Sequence, residues 1–272
     1  MTDWRGALSS THEVTDVREA SSFSINHPSP IVGRPEPIIL SWSGGKDSAL
    51  ALARLREDPR IEIVGLLTTV TAGYDRVSIH GVRRALLHAQ AASIGVPVHE
   101  VTLQPESSNA AYDAALADAL RAVRERQPGV RRVAFGDIFL QDVRQYREAR
   151  IAALGFDGIF PLWGQPTRDL AREVIDCGIR ARLVCVDTHA LPAAFAGRPY
   201  DEALLADLPD GIDPCGENGE FHTFVSAGPG FRAPVPYDVG EVVMRGDRFA
   251  FCDLLPGAAE AAEIAAPAEA HR

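Results

Sequence analysis

Residues 37–48 read Pro-Ile-Ile-Leu-Ser-Trp-Ser-Gly-Gly-Lys-Asp-Ser, and a helical pattern follows over residues 49–56. The apolar run at the start of this stretch is typical of a buried parallel strand. The paired glycines let the backbone approach an anion, and the helix that follows offers free N–H groups at its positive end. A strand, a glycine loop and a helix in this order predict a phosphate-binding turn at the carboxyl edge of a parallel sheet.

Strands and helices continue to alternate along the chain up to about residue 190. Further strands are predicted at 61–68, 98–103, 133–135, 158–162 and 181–186, with helical patterns between them. This alternation predicts an α/β fold with a doubly wound parallel sheet, which is a Rossmann-like architecture. Beyond it, strands joined by glycine and proline turns predict a smaller C-terminal appendage that is mixed or antiparallel.

The composition of the 272 residues excludes several classes of protein. Acidic residues outnumber basic ones by 37 to 27, and the net charge is −10. This balance argues against a nucleic-acid partner or an anionic membrane surface. No apolar run approaches the roughly 18 residues of a membrane span, and the first residues lack the apolar core of a signal peptide. We therefore expect a cytoplasmic enzyme.

The choice of cations points to the glycine loop. The chain contains 26 arginines but a single lysine, and that lysine is Lys46, inside the loop Ser43–Ser48. Arginine does not replace lysine where a compact ammonium must contact phosphate beside a tight backbone. We therefore predict that Lys46 contacts phosphate. The adjacent Asp47 would repel phosphate unless a cation bridges them, which predicts bound Mg²⁺.

The type of phosphate loop follows from the positions around Lys46. A Walker A loop requires glycine where this chain has Leu40, and serine or threonine where it has Asp47. The dinucleotide fingerprint GxGxxG is missing as well. Residues 43–48 instead match the pattern SGGxDS and resemble the PP-loop of the N-type ATP pyrophosphatases. The resemblance implies an enzyme that splits ATP between its α and β phosphates and transfers AMP to an acceptor oxygen.

Further segments resemble one family within that group, the diphthine–ammonia ligases. They are Arg76–Arg83, Gly136–Ile138, Pro161–Trp163 and Gly216–Thr223, and the likeness runs from about residue 38 to 256. The resemblance implies an adenine-nucleotide alpha-hydrolase-like domain that makes an amide from a carboxylate, ammonium and ATP. The arginine bias is typical of bacteria, which lack diphthamide. The acceptor therefore stays open between diphthine and another carboxylate.

The resemblance and the strand pattern together divide the chain into four parts. We expect a poorly ordered extension over 1–36, an ATP-binding domain over 37–190, a smaller substrate domain over 191–256 and a frayed tail over 257–272. No glutaminase domain or glutaminase nucleophile is recognisable. We therefore expect free ammonium to supply the nitrogen, while the oligomeric state stays undetermined.

The expected nucleotide-binding residues lie at strand ends and in the loops that follow them. They are Ser43, Gly44, Gly45, Lys46, Ser48, Thr68, His80, Gly136 and Asp137. The expected magnesium ligands are Asp47 and Asp137. Structural roles stay open for three of these residues: strand-end capping for Thr68, a satisfied structural histidine for His80 and a helix N-cap for Asp137.

The expected catalytic residues are Lys46, Asp47, Glu217, Glu220 and His222. The last three form a dense titratable cluster in a glycine-rich turn. Two carboxylates are suited to bind ammonium or to remove its proton, and histidine has the pKa for proton transfer. A solvated β-turn is the alternative interpretation of this cluster.

Two other functions compete with the ligase. The first is a PP-loop sulfurtransferase acting on tRNA, which would need a CxxC pair or a persulfide cysteine together with a basic face. The four cysteines of this chain have no CxxC spacing. The second is a non-catalytic adenine-nucleotide-binding module, which would have no need for Asp47 beside Lys46 or for the glutamate cluster.

Overall fold

The computed structural model describes residues 33–77, 81–105 and 107–257. Residues 1–32 of the predicted extension and 258–272 of the predicted tail lie outside these ranges. The helices and strands follow in the order β1 (Glu36–Ser41), α1 (Lys46–Glu57), β2 (Ile61–Thr71), β3 (Arg76–Val77), α2 (Arg84–Ile94), β4 (Val98–Leu103), α3 (Asn109–Arg126), β5 (Arg132–Ala134), α4 (Gln141–Ala153), β6 (Asp157–Ile159), α5 (Thr167–Asp176), β7 (Arg180–Asp187), α6 (Glu202–Asp207), β8 (Phe221–Ala227), β9 (Tyr237–Arg245) and β10 (Phe249–Pro256). None of these helices is long and apolar enough to cross a membrane.

Five strands form a parallel sheet in the order β4–β2–β1–β5–β6, and the short β3 pairs antiparallel with the end of β2. Numbered by their appearance in the chain, the parallel strands have the order 3-2-1-4-5. Successive strands are added on one side of β1 up to β4 and on its other side from β5 onward, so the strand order reverses between β1 and β5. Ligands of open α/β sheets bind outside the carboxyl ends of the strands at such a switch point. The loops after β1 and β5 lie there.

Helices cover both faces of this sheet, so the predicted doubly wound fold is confirmed. Successive residues of β1 point to opposite faces: Ile38 and Leu40 join one buried cluster and Ile39 joins another. The first cluster includes Leu50 of α1, Leu86 of α2 and Leu170 of α5. The second includes Leu116, Leu120 and Val123 of α3 and Ile151 of α4.

The predicted appendage is an antiparallel sheet with the order β8–β7–β10–β9. Strand β7 belongs to it, whereas the sequence pattern assigned residues 181–186 to the parallel alternation. A short apolar run suits a buried parallel strand and a strand of a packed antiparallel sheet equally well, so periodicity did not separate the two. The predicted domain division at residue 190 stays a prediction.

The antiparallel sheet packs on the face of the parallel sheet that carries α1 and α2. Phe221 and Val225 of β8 and Ala250 of β10 belong to the same buried cluster as Leu50. This packing brings β8 beside the loop after β1, where the Val225 N–H donates to the Gly44 carbonyl at 2.9 Å. The two sheets therefore meet at the switch point.

Candidate active site

The loop Ser43–Ser48 is folded on itself by its two serines. The Ser43 hydroxyl accepts the Gly45 N–H at 3.2 Å and lies 3.2 Å from the Ser48 hydroxyl. The Ser48 hydroxyl in turn donates to the Gly45 carbonyl at 2.9 Å. The serines expected to bind phosphate therefore also fix the shape of the loop.

Gln90 of α2 ties this loop to the antiparallel sheet. Its side-chain oxygen accepts the Trp42 indole N–H at 2.9 Å, and its amide nitrogen donates to the carbonyls of Gly44 and Val225. Gly44 has a φ of +79°, and a Cβ there would lie 2.9 Å from the Gln90 side-chain oxygen. Glycine is therefore required at this position by the backbone conformation and by the close approach of Gln90.

A residue of β8 caps helix α1. The N-cap position is Gly45, which has no side chain to accept a hydrogen bond. The Thr223 hydroxyl takes that role from the antiparallel sheet and accepts the Lys46 N–H at 3.0 Å. A distant residue therefore stabilises the positive end of the helix that is expected to face phosphate.

The ammonium of Lys46 is enclosed by protein groups. The side chain is 2% exposed, and the ammonium donates to the Asp47 carboxylate at 2.9 Å and to the Cys215 carbonyl. The rings of Tyr200 and Phe221 lie 5.5 and 5.4 Å from it. Burial disfavours the charge, but the attraction of Asp47 and its neighbours outweighs burial and raises the pKa of Lys46. The lysine therefore joins the phosphate loop to the segment before β8.

The end of β5 lies against the start of α1. A Cβ on Gly136 would lie 3.0 Å from the Asp47 carbonyl carbon, so a larger residue would push the two apart. The next residue, Asp137, has a side chain that is 12% exposed and lies 3.1 Å from the Arg147 guanidinium of α4. Burial raises the pKa of the Asp137 carboxyl, and Arg147 opposes that rise.

Glu217, in the turn before β8, reaches the residues that follow β5. Its carboxylate accepts the Ile138 N–H at 2.8 Å, and its own N–H donates to the Asp213 carboxylate at 2.8 Å. Burial raises the pKa of Glu217 to about 7; the Ile138 hydrogen bond opposes the rise, and the charges of Asp47 and Asp137 add to it. The structure thus brings Glu217 together with both predicted magnesium ligands.

The rest of the predicted catalytic cluster is placed differently. Glu220 is buried, and one of its oxygens accepts the Asp213 N–H at 3.2 Å and the Asn218 amide at 3.1 Å. Its other oxygen has no hydrogen-bond partner among the described residues. His222 follows Phe221 and precedes Thr223 on β8, so alternation turns it away from the face that contacts Lys46. Strand alternation therefore places His222 on the face of β8 opposite Phe221 and Thr223.

Two further predicted nucleotide-binding residues, Thr68 and His80, and the cysteine beside the glutamate cluster remain to be placed. The Thr68 hydroxyl is buried and donates to the Trp42 carbonyl at 2.7 Å, which fixes the end of β2 beside the loop. His80 lies outside the described residues. The Cys215 thiol is buried and donates to the Thr167 carbonyl, and burial raises its pKa, so it is not an activated nucleophile.

Sequence reasoning missed Gln90, Asp213 and Thr223. Gln90 had a detectable signal, because it is a polar residue on the otherwise apolar face of α2. Asp213 is followed by Pro and Gly residues in the run Asp-Pro-Cys-Gly-Glu, which is typical of a turn held by an aspartate side chain. Thr223 had no local signal, since its partner, the Lys46 N–H, lies 177 residues away at the start of α1.

The fold and the loop define a nucleotide-binding α/β protein of the PP-loop type. Residues 37–156 match the family model described as the diphthamide synthase N-terminal domain, and residues 166–248 match that of the diphthamide synthase C-terminal domain. The chain therefore belongs to the diphthamide synthase family, and it is a ligase that uses ATP.

Curated relatives agree with this assignment. The chain is 29% identical to the diphthine–ammonia ligase of Bos taurus over 229 residues, which cover 74% of this chain and 82% of the relative. It is 29% identical to that of Homo sapiens over 237 residues, covering 76% and 85%. The protein of Rattus norvegicus is 28% identical over 238 residues.

Proposed function

We propose that this ligase joins ammonia to a carboxylate in two half-reactions at the switch point. ATP first transfers AMP to the carboxylate and releases pyrophosphate, and ammonia then displaces AMP. The observation that supports this proposal is the position of Glu217. A carboxylate with a pKa of about 7 lies at the end of β5, beside Asp47 and Asp137. The phosphate loop and a candidate base therefore share one crevice.

In the first half-reaction, we assign pyrophosphate binding to the loop Ser43–Ser48. Thr223 accepts the Lys46 N–H, and the N–H groups that follow it in the first turn of α1 favour an anion at that end. The carboxylate oxygen of the acceptor attacks the α-phosphorus of ATP, and the bond to the β-phosphate oxygen breaks.

Mg²⁺ would assist this step by neutralising phosphate charge. No group of three metal-ligating side chains lies together in the described part of the chain. Magnesium usually binds one or two carboxylates and completes its shell with phosphate oxygens and water. Asp47 and Asp137 fit that arrangement, and we propose that they hold the ion together with the nucleotide.

In the second half-reaction, Glu217 removes a proton from ammonium. A base with a pKa near the working pH is well matched to this transfer. The neutral ammonia then attacks the carbonyl carbon of the acyl-adenylate. A carbon–nitrogen bond forms, the carbon–oxygen bond to AMP breaks, and the nitrogen loses a second proton to solvent.

Diphthine is the acceptor to test first, because the curated relatives are named diphthine–ammonia ligases. Another carboxylate stays the alternative acceptor. We propose free ammonium as the nitrogen donor. Sulfur transfer to tRNA has less support, since burial raises the pKa of each of the four cysteines, and a persulfide carrier needs a reactive thiolate.

Product analysis tests the proposal. The purified chain is incubated with ATP, Mg²⁺, ammonium and a diphthine-bearing protein, or with a set of small carboxylates, and nucleotides are separated by chromatography. We expect AMP and pyrophosphate in equal amounts, formed only with an acceptor. ADP and orthophosphate as products would contradict the proposal. Replacing ammonium with ammonia-free glutamine should stop amide formation, and efficient turnover with glutamine would refute the donor assignment.

A further inference from the structure

Strand β9 is an edge of the antiparallel sheet, and its side chains are exposed on both faces. Within the described ranges it pairs with β10 alone. Val242, Val243 and Met244 are 47%, 38% and 51% exposed. Successive residues of a strand point to opposite faces, so neither face of this segment is covered by the described residues.

An edge of this kind is unusual for a protein that acts alone. Its outer N–H and C=O groups form a template for another strand, and natural edges are commonly protected by lysine, proline or a covering element. Residues 241–245 read Glu-Val-Val-Met-Arg, with apolar residues at the centre and one charge at each end. We define this stretch as the edge segment.

The edge segment is complementary to itself in one arrangement. An antiparallel copy centred on Val243 places Val243 opposite Val243, Val242 opposite Met244 and Glu241 opposite Arg245. A twofold axis repeats the Glu241–Arg245 pair, and each such cross-strand pair contributes about 0.2–1 kcal/mol. A parallel copy in register would place like charges opposite each other.

The local geometry suits this pairing. The register between β9 and β10 shifts near Cys252, but Val242–Arg245 pair regularly with Phe249–Cys252. Val242–Arg245 of the edge segment therefore lie in the regular part of the strand, and Glu241 lies at the start of the register shift. The Arg245 guanidinium lies 5.9 Å from the Phe251 ring centroid, and the residue stays exposed.

We infer that two copies of this chain pair through the edge segment and form a continuous eight-stranded sheet. The twofold arrangement covers the β9 edge of each copy with the β9 edge of the other. The assembly therefore stops at two copies. The contact lies at the β9 edge, whereas β8 at the opposite edge faces the phosphate loop. This inference is independent of the proposed reaction.

Sedimentation equilibrium of the full chain, from about 1 to about 100 μM, tests the pairing, since small interfaces are weak. We expect a monomer–dimer equilibrium. Val243→Lys places two ammonium groups opposite each other and should raise the dissociation constant at least about tenfold. Glu241→Arg should act in the same direction, and the double exchange Glu241→Arg with Arg245→Glu should restore the dimer. Circular dichroism of each variant checks that the monomer is folded.

Four outcomes would overturn the inference. The first is a wild-type chain that stays monomeric over the whole range. The second is a dimer that neither single substitution weakens. The third is a failure of the double exchange to restore what Glu241→Arg removes. A monomer whose residues 241–245 are protected from hydrogen exchange would identify a segment of the same chain as the partner of β9, and would also overturn it.

Discussion

The loop after β1 and the segment before β8 bring Asp47 and Glu217 close together near the end of β5, but the two regions are held in different ways. The first loop is held by its flanking strand and helix, by its two serines, and by Gln90 and Thr223 from outside. Within the second segment, Asp213 accepts the Glu217 N–H and Glu220 accepts the Asp213 N–H. From outside, the Lys46 ammonium donates to the Cys215 carbonyl and the Tyr200 hydroxyl donates to the Pro214 carbonyl. Glu220 in the second segment therefore has a structural role, whereas we propose chemical roles for Glu217 in that segment and for Asp47 in the first loop.

From this comparison, we expect the largest loss of activity when Asp47 is replaced. Asp47→Asn removes the counter-charge of the buried Lys46 ammonium and a proposed magnesium ligand. We expect AMP formation to fall by about 10³-fold. The matched control is Asp118→Asn, since Asp118 is exposed on α3 and, among the described residues, pairs with Arg121. Steady-state release of pyrophosphate measures both, and equal activity of the two variants would refute the role of Asp47.

The pH dependence of the ammonia step tests Glu217. A general base must be deprotonated, so the step should slow as the pH falls below about 7, the pKa of Glu217. Glu217→Gln should reduce the step by about 10²-fold at high pH and remove this ionisation. Free ammonia also increases with pH, so the ratio of wild-type to variant rates is the quantity to plot. A ratio that does not change with pH would contradict the assignment.

Thr223 tests how strongly the two regions are coupled. Thr223→Val removes the acceptor of the Lys46 N–H at the start of α1. We expect a loss of about 1–2 kcal/mol in the free energy of unfolding, measured with urea. Thr223→Ser keeps the hydroxyl and should lose much less. If valine and serine are equivalent, the contact from β8 does not stabilise α1.

The smallest effect is expected at His222. Alternation along β8 turns this side chain away from Lys46, so His222→Gln should leave the ammonia step within about twofold of wild type. The matched comparison is Glu217→Gln, measured in the same assay. A large loss in the histidine variant would return His222 to the catalytic group and would weaken the argument from strand alternation.

The loop after β1 could be predicted from the sequence, whereas the position of the segment before β8 could not. The loop Ser43–Ser48 and the parallel sheet could be predicted because strand, loop and helix are contiguous in sequence. The placement of Glu217 beside Asp137 could not, since it depends on how the antiparallel sheet packs on α1. The closeness of Glu217, Glu220 and His222 in the sequence indicated a titratable cluster. It did not indicate that His222 lies on a strand, where alternation turns its side chain away from the face that contacts Lys46.

The central claim is that the two regions serve successive half-reactions in one crevice. A rapid-quench experiment tests it directly: wild type and Glu217→Gln are mixed with ATP, Mg²⁺ and acceptor without ammonium, and ammonium is added after pyrophosphate release. We predict that both proteins release pyrophosphate and form the acyl-adenylate at similar rates, and that only wild type then converts it rapidly to amide and AMP. Loss of pyrophosphate release in Glu217→Gln, or equal amide formation by both proteins, would contradict the account.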